Sequence, residues 1–169
     1  MIGKGDLTFG QMERLRMSIP VWQRLVGLLV YLVPWSDAIP FGGSLFRQFP
    51  VLQWLTLPAL PLALLEQGIP FANLLLFFVL FLAVVRNPAV PGFVRFNTLQ
   101  ALLVDIVVVL IGFALQILIQ PLGVGLLLRT LSSTVLVTVL TILIFALVEC
   151  SRGREPDFPG LSQAVRMQL

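Results

Sequence analysis

The stretch Arg95-Phe96-Asn97-Thr98-Leu99-Gln100-Ala101-Leu102-Leu103-Val104-Asp105 opens an apolar run that continues to Ile119, and its reading decides the fold. A basic residue, several polar side chains and a carboxylate stand at the head of a segment that is otherwise almost wholly apolar. With Arg95 at a membrane surface, Asp105 lies about 15 Å deeper at the helical rise, near the middle of the hydrocarbon. An aspartate there costs roughly 2.5–3.5 kcal/mol on insertion scales, so it must face protein or water, or carry a proton. Two readings of Asp105 stay open: a group on a pathway through the membrane, or a carboxyl hydrogen-bonded to a neighbouring helix that fixes register.

The rest of the chain is greasier still. Of its 169 residues 58% are hydrophobic and 11% charged, whereas a soluble domain carries about a quarter charged residues. The apolar runs are long, rich in Leu and without strict alternation, which favours helices over a barrel of short strands. The sequence therefore reads as an all-α integral membrane protein. The single Cys150 excludes an intrachain disulfide, and with no histidine and scattered acids neither a metal nor a cofactor is expected. The net charge of +3 fits topology determinants and lipid-headgroup contacts better than nucleic acid, which is not expected as a partner.

Four spans are expected, at about 19–36, 68–85, 93–119 and 130–149, with residues 18–150 forming one membrane domain between a polar arm (1–17) and a polar tail (151–169). Ser18 caps the first helix and Pro20 falls in its first turn, where a missing N–H is harmless. Pro34 kinks that helix near its end. A signal peptide competes here, since Ser36-Asp37-Ala38 mimics a small-x-small cleavage site. The long leading region and the awkward Pro34-Trp35 approach speak against it. Residues 41–49 mix aromatics with Arg47 like a segment lying in the interface. The run 51–65, broken by Pro58 and Pro61, is short for a crossing, so an interfacial or re-entrant piece is favoured over a fifth span. Matches at an offset of thirty, such as Pro20/Pro50 and Ile39-Pro40-Phe41/Ile69-Pro70-Phe71, read more simply as coincidence than as duplication. Pro88, Pro91 and Gly92 make a turn before the third span, and 120–123 closes it. With four spans, Lys4, Arg14, Arg16, Arg24, Arg86, Arg95, Arg152, Arg154 and Arg166 share one side and only Arg47 and Arg129 the other. That bias predicts both termini in the cytoplasm, with Arg86, Arg95, Arg152 and Arg154 as anchors, and it argues against five spans. The tail reads as solvated or loosely docked.

Taking Asp105 as the origin of a helical wheel, Thr98, Gly112 and Gln116 fall within about 20° and Ala101 within about 40°. Helix four carries Thr130, Thr134, Thr138 and Thr141 in one sector, and the two stripes are expected to face each other or a common cavity as a polar intramembrane seam. The plainer alternative is that small and hydroxylated residues are ordinary helix–helix contacts. Asn73 and Gln100 either line the seam or are satisfied packing contacts, and Glu149 reads as structural, pairing with nearby arginines. No triad, phosphate loop or carboxylate pair is apparent, because Glu66, Asp105 and Glu149 are assigned to different depths; the chain is not expected to be an enzyme. Cys150 beside basic residues suits palmitoylation, but a buried, inert thiol is the favoured reading.

Phe46-Arg47-Gln48-Phe49, Ile69-Pro70-Phe71-Ala72, Val84-Val85-Arg86-Asn87 and above all Val94-Arg95-Phe96-Asn97-Thr98-Leu99-Gln100-Ala101-Leu102-Leu103-Val104-Asp105-Ile106 resemble the twenty-kilodalton component of the Tic translocon and its cyanobacterial relatives. The core of the likeness is Arg95, Phe96, Asn97, Gln100, Ala101 and Asp105, and it covers roughly residues 20–165. The resemblance implies four helices with both ends on the stromal or cytoplasmic side, and a membrane component of a preprotein-conducting channel. The short, acid-containing arm points to a cyanobacterial member, in the plasma or thylakoid membrane. Its expected partners are the lipid bilayer, other membrane subunits or further copies of itself, and a translocating polypeptide. The alternative is a structural or assembly subunit packed on a larger photosynthetic or respiratory complex. Small-solute transport is poorer, for want of convincing inverted repeats.

Overall fold

The computed structural model describes residues 19–169 apart from 120, 122, 124 and 159; the amino-terminal arm, with Lys4, Arg14, Arg16 and the cap expected at Ser18, lies outside the described residues. Every regular element among the described residues is helical. Three helices are long and apolar enough to cross a membrane, and there are four crossings if a bent pair of helices counts as one.

The first helix, α1 (Val21–Gln48), is 28 residues long and outruns the span expected at 19–36. It is broken at Val30 and Tyr31 and resumes as Leu32–Ala38, a 3-10 turn Ile39–Gly42 and a last α-helical piece Gly43–Gln48. Pro34 has no N–H to give the Val30 carbonyl, which takes the Val33 N–H at 3.2 Å instead. The helix recovers because Trp35 still bonds the Tyr31 carbonyl at 3.3 Å. The aromatic segment 41–49, expected in the interface, is therefore largely a continuation of this helix, with Phe41 and Phe46 packed on the core. Ser36 and Ala38 are buried in mid-helix, which is no place for a peptidase to cut.

A helical hairpin follows. Its first arm, α2 (Pro50–Gly68), opens with ten residues of 3-10 helix and becomes α-helical at Leu60. The second, α3 (Ala72–Val85), leaves at 117° to the first. The reversal is made at Phe71, whose φ of 60° is left-handed. The nine α-helical and five π-helical residues of α3 reach only about 21 Å, short of the ~30 Å hydrocarbon. The second span expected at 68–85 is thus half of a bent unit whose other half is the 51–65 run. The ten-residue 3-10 opening of α2 has no counterpart in the regular α-helix that begins α1, so the offset-thirty matches do not mark repeated structure. Trp35 ties the hairpin to α1 by donating to the Leu55 carbonyl at 3.0 Å.

The central helix is α4 (Gly92–Ala114, continued by a π-helical turn Leu115–Ile119), which buries residues all along its first half. Gly27 lets α1 approach it, since a Cβ there would stand 3.0 Å from the Phe93 ring. The last long helix, α5 (Gly125–Ser151), starts earlier than the expected 130 and includes Arg129. It ends at Gly153, with φ of 70° and the Gly153 N–H on Cys150 O and the Arg154 N–H on Glu149 O, both at 2.9 Å. These paired bonds satisfy carbonyls that the helix end would otherwise leave open. The core between the helices gathers Trp35, Ala38, Ala59, Val104, Val108, Leu136 and Val139.

The tail departs most from expectation. It turns back on the bundle and finishes as α6 (Leu161–Gln168). Pro156 and Val165 are fully buried, Phe158 lies 5.1 Å from the Phe145 ring, and Leu161 joins the core. Leu161 and Val165, four apart, supply the apolar stripe of α6, while Ser162 between them bonds the Phe158 N–H at 2.8 Å. The polar composition of the segment hides this short stripe.

Candidate functional site: a polar junction and an acidic cluster on the central helix

The Asn97 and Gln100 side chains are fully buried on α4 and form a polar junction. The Tyr31 hydroxyl lies 3.2 Å from Gln100 Oε1 and 3.4 Å from Asn97 Oδ1, to either of which it can donate. Asn97 Oδ1 also accepts from the Cys150 thiol at 3.3 Å, and its amide donates to Phe93 O at 2.8 Å. Gln100 Nε2 donates to Pro156 O at 3.1 Å and to Ser162 Oγ at 3.3 Å. Two residues of the motif thereby join α1, α4, α5 and the tail. Gln100 is a satisfied packing contact, and Cys150 is a buried thiol. The neighbouring motif residues hold the same end: Arg95 Nε donates to Val85 O at 2.8 Å, and the Arg166 guanidinium lies 5.5 Å from the centre of the Phe96 ring. Such a cation over an aromatic face adds to the hold on α6.

Farther along α4 stands Asp105, 2% exposed. Beside it are Asp37 from α1 and Glu66 from α2. Asp37 accepts a hydrogen bond from Asn73 on α3, and Ser36 donates to Glu66 at 3.1 Å. The expectation that Glu66 and Asp105 lie at different depths fails, because the hairpin carries Glu66 back against α1. In the sequence Asp37 figures only within the cleavage-site mimic Ser36-Asp37-Ala38, because it falls just past the first span expected at about 19–36. An acid inside a helix that runs on to Gln48 is the signal that was available. Among the described residues no group of acids, cysteines or histidines is arranged to hold a metal ion.

The two polar stripes do not meet. Thr98, Ala101 and Asp105 are buried, while Gln116 is exposed in a cleft of about 390 Å³ shared with Asp37, Gly112 and Ser132. Thr130, Thr134, Thr138 and Thr141 point outward, each bonded to the carbonyl four residues back in its own helix at 2.8–3.0 Å. A hydroxyl satisfied in this way has no need of a partner across the bundle. The face of α5 that packs inward carries Leu136, Val139, Ala146 and Cys150. The main packing partner of both α4 and α5 is α1, and the two long helices touch each other little beyond the Leu115–Ile119 end. Of the arginine anchors, Arg152 pairs with Glu149 at 3.6 Å, whereas Arg86 and Arg154 are exposed.

A family profile described as "Chloroplast import apparatus Tic20-like" matches residues 9–165. The chain belongs to the Tic20 family. It is 40% identical over 147 residues to a "Tic20 family protein" of Synechocystis sp., covering 86% of this chain and 92% of that one. It is 30% identical over 153 residues to "Protein TIC 20-v, chloroplastic" of Arabidopsis thaliana, covering 90% and 73%. Similarity to "Tic20 family protein Ycf60" of Gracilaria tenuistipitata var. liui is 27% over 158 residues, covering 90% and 78%. The Tic20 description links the family to a protein import machinery, and the apolar helices make this member a membrane protein. The junction and the acidic cluster both fall inside the matched region.

Proposed function

We propose that this chain is a membrane component of a Tic-like protein translocation machinery and contributes helices to a preprotein-conducting path. The observation that carries the reading is the one-sided packing of α5. Its most apolar stretch is 17% buried, against 50% for α1 and for α4. On its outward side runs a groove of about 530 Å³ lined by Ser44, Gln48, Arg129, Thr130, Ser133 and Thr134. Arg129 and Gln48 on such a face call for water or protein rather than lipid tails. Four thin helices do not enclose a wide pore, so further copies of the chain or other membrane subunits complete it, and α5 is the face they cover.

The charge bias sets both termini and the Arg86–Arg95 turn in the cytoplasm of a cyanobacterium, at the plasma or thylakoid membrane. Two contacts support a shared face for these charges: Arg24 Nη1 donates to Ser151 O at 3.1 Å, and Arg95 reaches the end of α3. Site-specific photocrosslinkers at Thr134 and Gln116, with a preprotein arrested in transit, test the reading. Adducts from these positions and none from the exposed Leu147, which lies outside both the groove and the cleft, are the expected outcome. Absence of adducts, with the same positions crosslinking to a stable photosynthetic or respiratory subunit, refutes translocation and makes the chain an assembly subunit.

A further inference from the structure

Asp37, Glu66 and Asp105 gather where α1, the α2–α3 hairpin and α4 meet. The two ion pairs among the described residues, Glu149 with Arg152 and Glu155 with Arg166, lie elsewhere. Asp37 stands within hydrogen-bonding reach of the Asp105 carboxyl, and Glu66 is near enough for its charge to act on both. The hairpin adds Asn73, which donates to Asp37, and α1 adds Ser36, which donates to Glu66. From α5, Leu128 and Ser132 line the cleft beside Asp37, and neither is charged. Asp105 Oδ1 is buried and has no donor.

Two adjacent carboxyls in a water-poor interior cannot both be ionised. A buried acceptor with no donor is also a costly arrangement. One proton resolves both difficulties, whereas a metal ion would need a converging set of ligands that the described residues do not form. We propose that the buried Asp105 carboxyl carries a proton at neutral pH and donates it to Asp37, and that the bonds from Asn73 to Asp37 and from Ser36 to Glu66 pass this hold on to the α2–α3 hairpin. Half-buried Asp37 borders the cleft with Gln116, which gives the proton a way to solvent. Its loss sets two like charges side by side with Glu66 as a third, at the contact that holds the hairpin. The inference concerns a proton site and does not rest on the translocation reading.

Infrared spectroscopy of the full chain in lipid bilayers tests the site. A protonated-carboxyl carbonyl band is expected at neutral pH, where a free aspartate, with a pKa of about 4, is ionised. The band is lost in Asp105→Asn and kept in Glu66→Gln. Its absence from the native protein, its survival in Asp105→Asn, or its displacement by sodium or calcium at constant pH overturns the proposal. The latch has its own readout in Trp35, isolated by Trp22→Phe and Trp54→Phe. Its emission is expected to shift at alkaline pH as the Leu55 bond breaks, and Asp105→Asn is expected to keep the neutral-pH spectrum at every pH. Emission that ignores pH, or that shifts equally in Asp105→Asn, refutes the latch.

Discussion

Gln100→Leu isolates the polar junction, because leucine nearly keeps the volume of the side chain and removes all its hydrogen bonds. Three bonds are lost, to Tyr31, Pro156 and Ser162. At the average of about 0.6 kcal/mol for interhelical bonds in membranes, they sum to about 2 kcal/mol. Tyr31 keeps Asn97 and Ser162 keeps the Phe158 N–H. The Pro156 carbonyl is buried with no substitute, an orphan that costs about 1–3 kcal/mol and raises the total toward about 4 kcal/mol. Since two of the three bonds reach the tail, the loss falls mainly on its docking. At 1.4 kcal/mol per tenfold, the undocked population rises about 30- to 1,000-fold. Hydrogen exchange of Leu161–Gln168 in nanodiscs measures this directly, with Met167→Ala, 81% exposed, as the control. Native protection of α6 in a folded Gln100→Leu protein would refute the assignment of Gln100 as the clasp of the tail.

Gly27→Leu drives a side chain into Phe93, 3.0 Å from the position of its Cβ, and should cost about 1–3 kcal/mol as a lowered thermal midpoint in detergent. Gly43→Ala, with open space around it, should lower it not at all. Phe71→Gly relieves a left-handed residue that is 81% exposed and should stabilise the hairpin by about 1 kcal/mol, read as a raised midpoint. Thr134→Val and Thr138→Val remove hydroxyls bonded only within their own helix, so stability should change by less than about 0.5 kcal/mol in either direction. Cys150 is fully buried and should react with a maleimide only on unfolding, which makes it a stoichiometric reporter for the other variants; rapid labelling of the native protein would contradict the packing of α5 on Asn97.

Much of the architecture was legible because it follows from local chemistry. Long apolar runs without alternation made helices in a membrane, and Pro88, Pro91 and Gly92 marked the turn before α4. The motif was also legible as something exceptional, since Asn97, Gln100 and Asp105 are costly in an apolar helix without partners. Their partners were not legible. Tyr31, Pro156 and Ser162 lie 69, 56 and 62 residues from Gln100, and no periodicity links them. A helical wheel orders residues around one axis and says nothing of which neighbour each face meets, so it leaves open whether the threonines of α5 face α4, pack on another helix or point outward, as they do here. Nor does it show that α1 is the main packing partner of both long helices.

The sequence by itself determined that the chain is helical and membrane-bound, which stretch is unusual, and that Asp105 must be accommodated, because composition, proline placement and the cost of charge in hydrocarbon act locally. Tertiary structure alone decided how. The turn at Phe49 between α1 and α2 brought Glu66 back to Asp37 and Asp105, and the returning tail closed on Gln100. Both depend on chain reversals that set distant residues side by side, and the free energy of such contacts belongs to the assembled bundle rather than to any one segment.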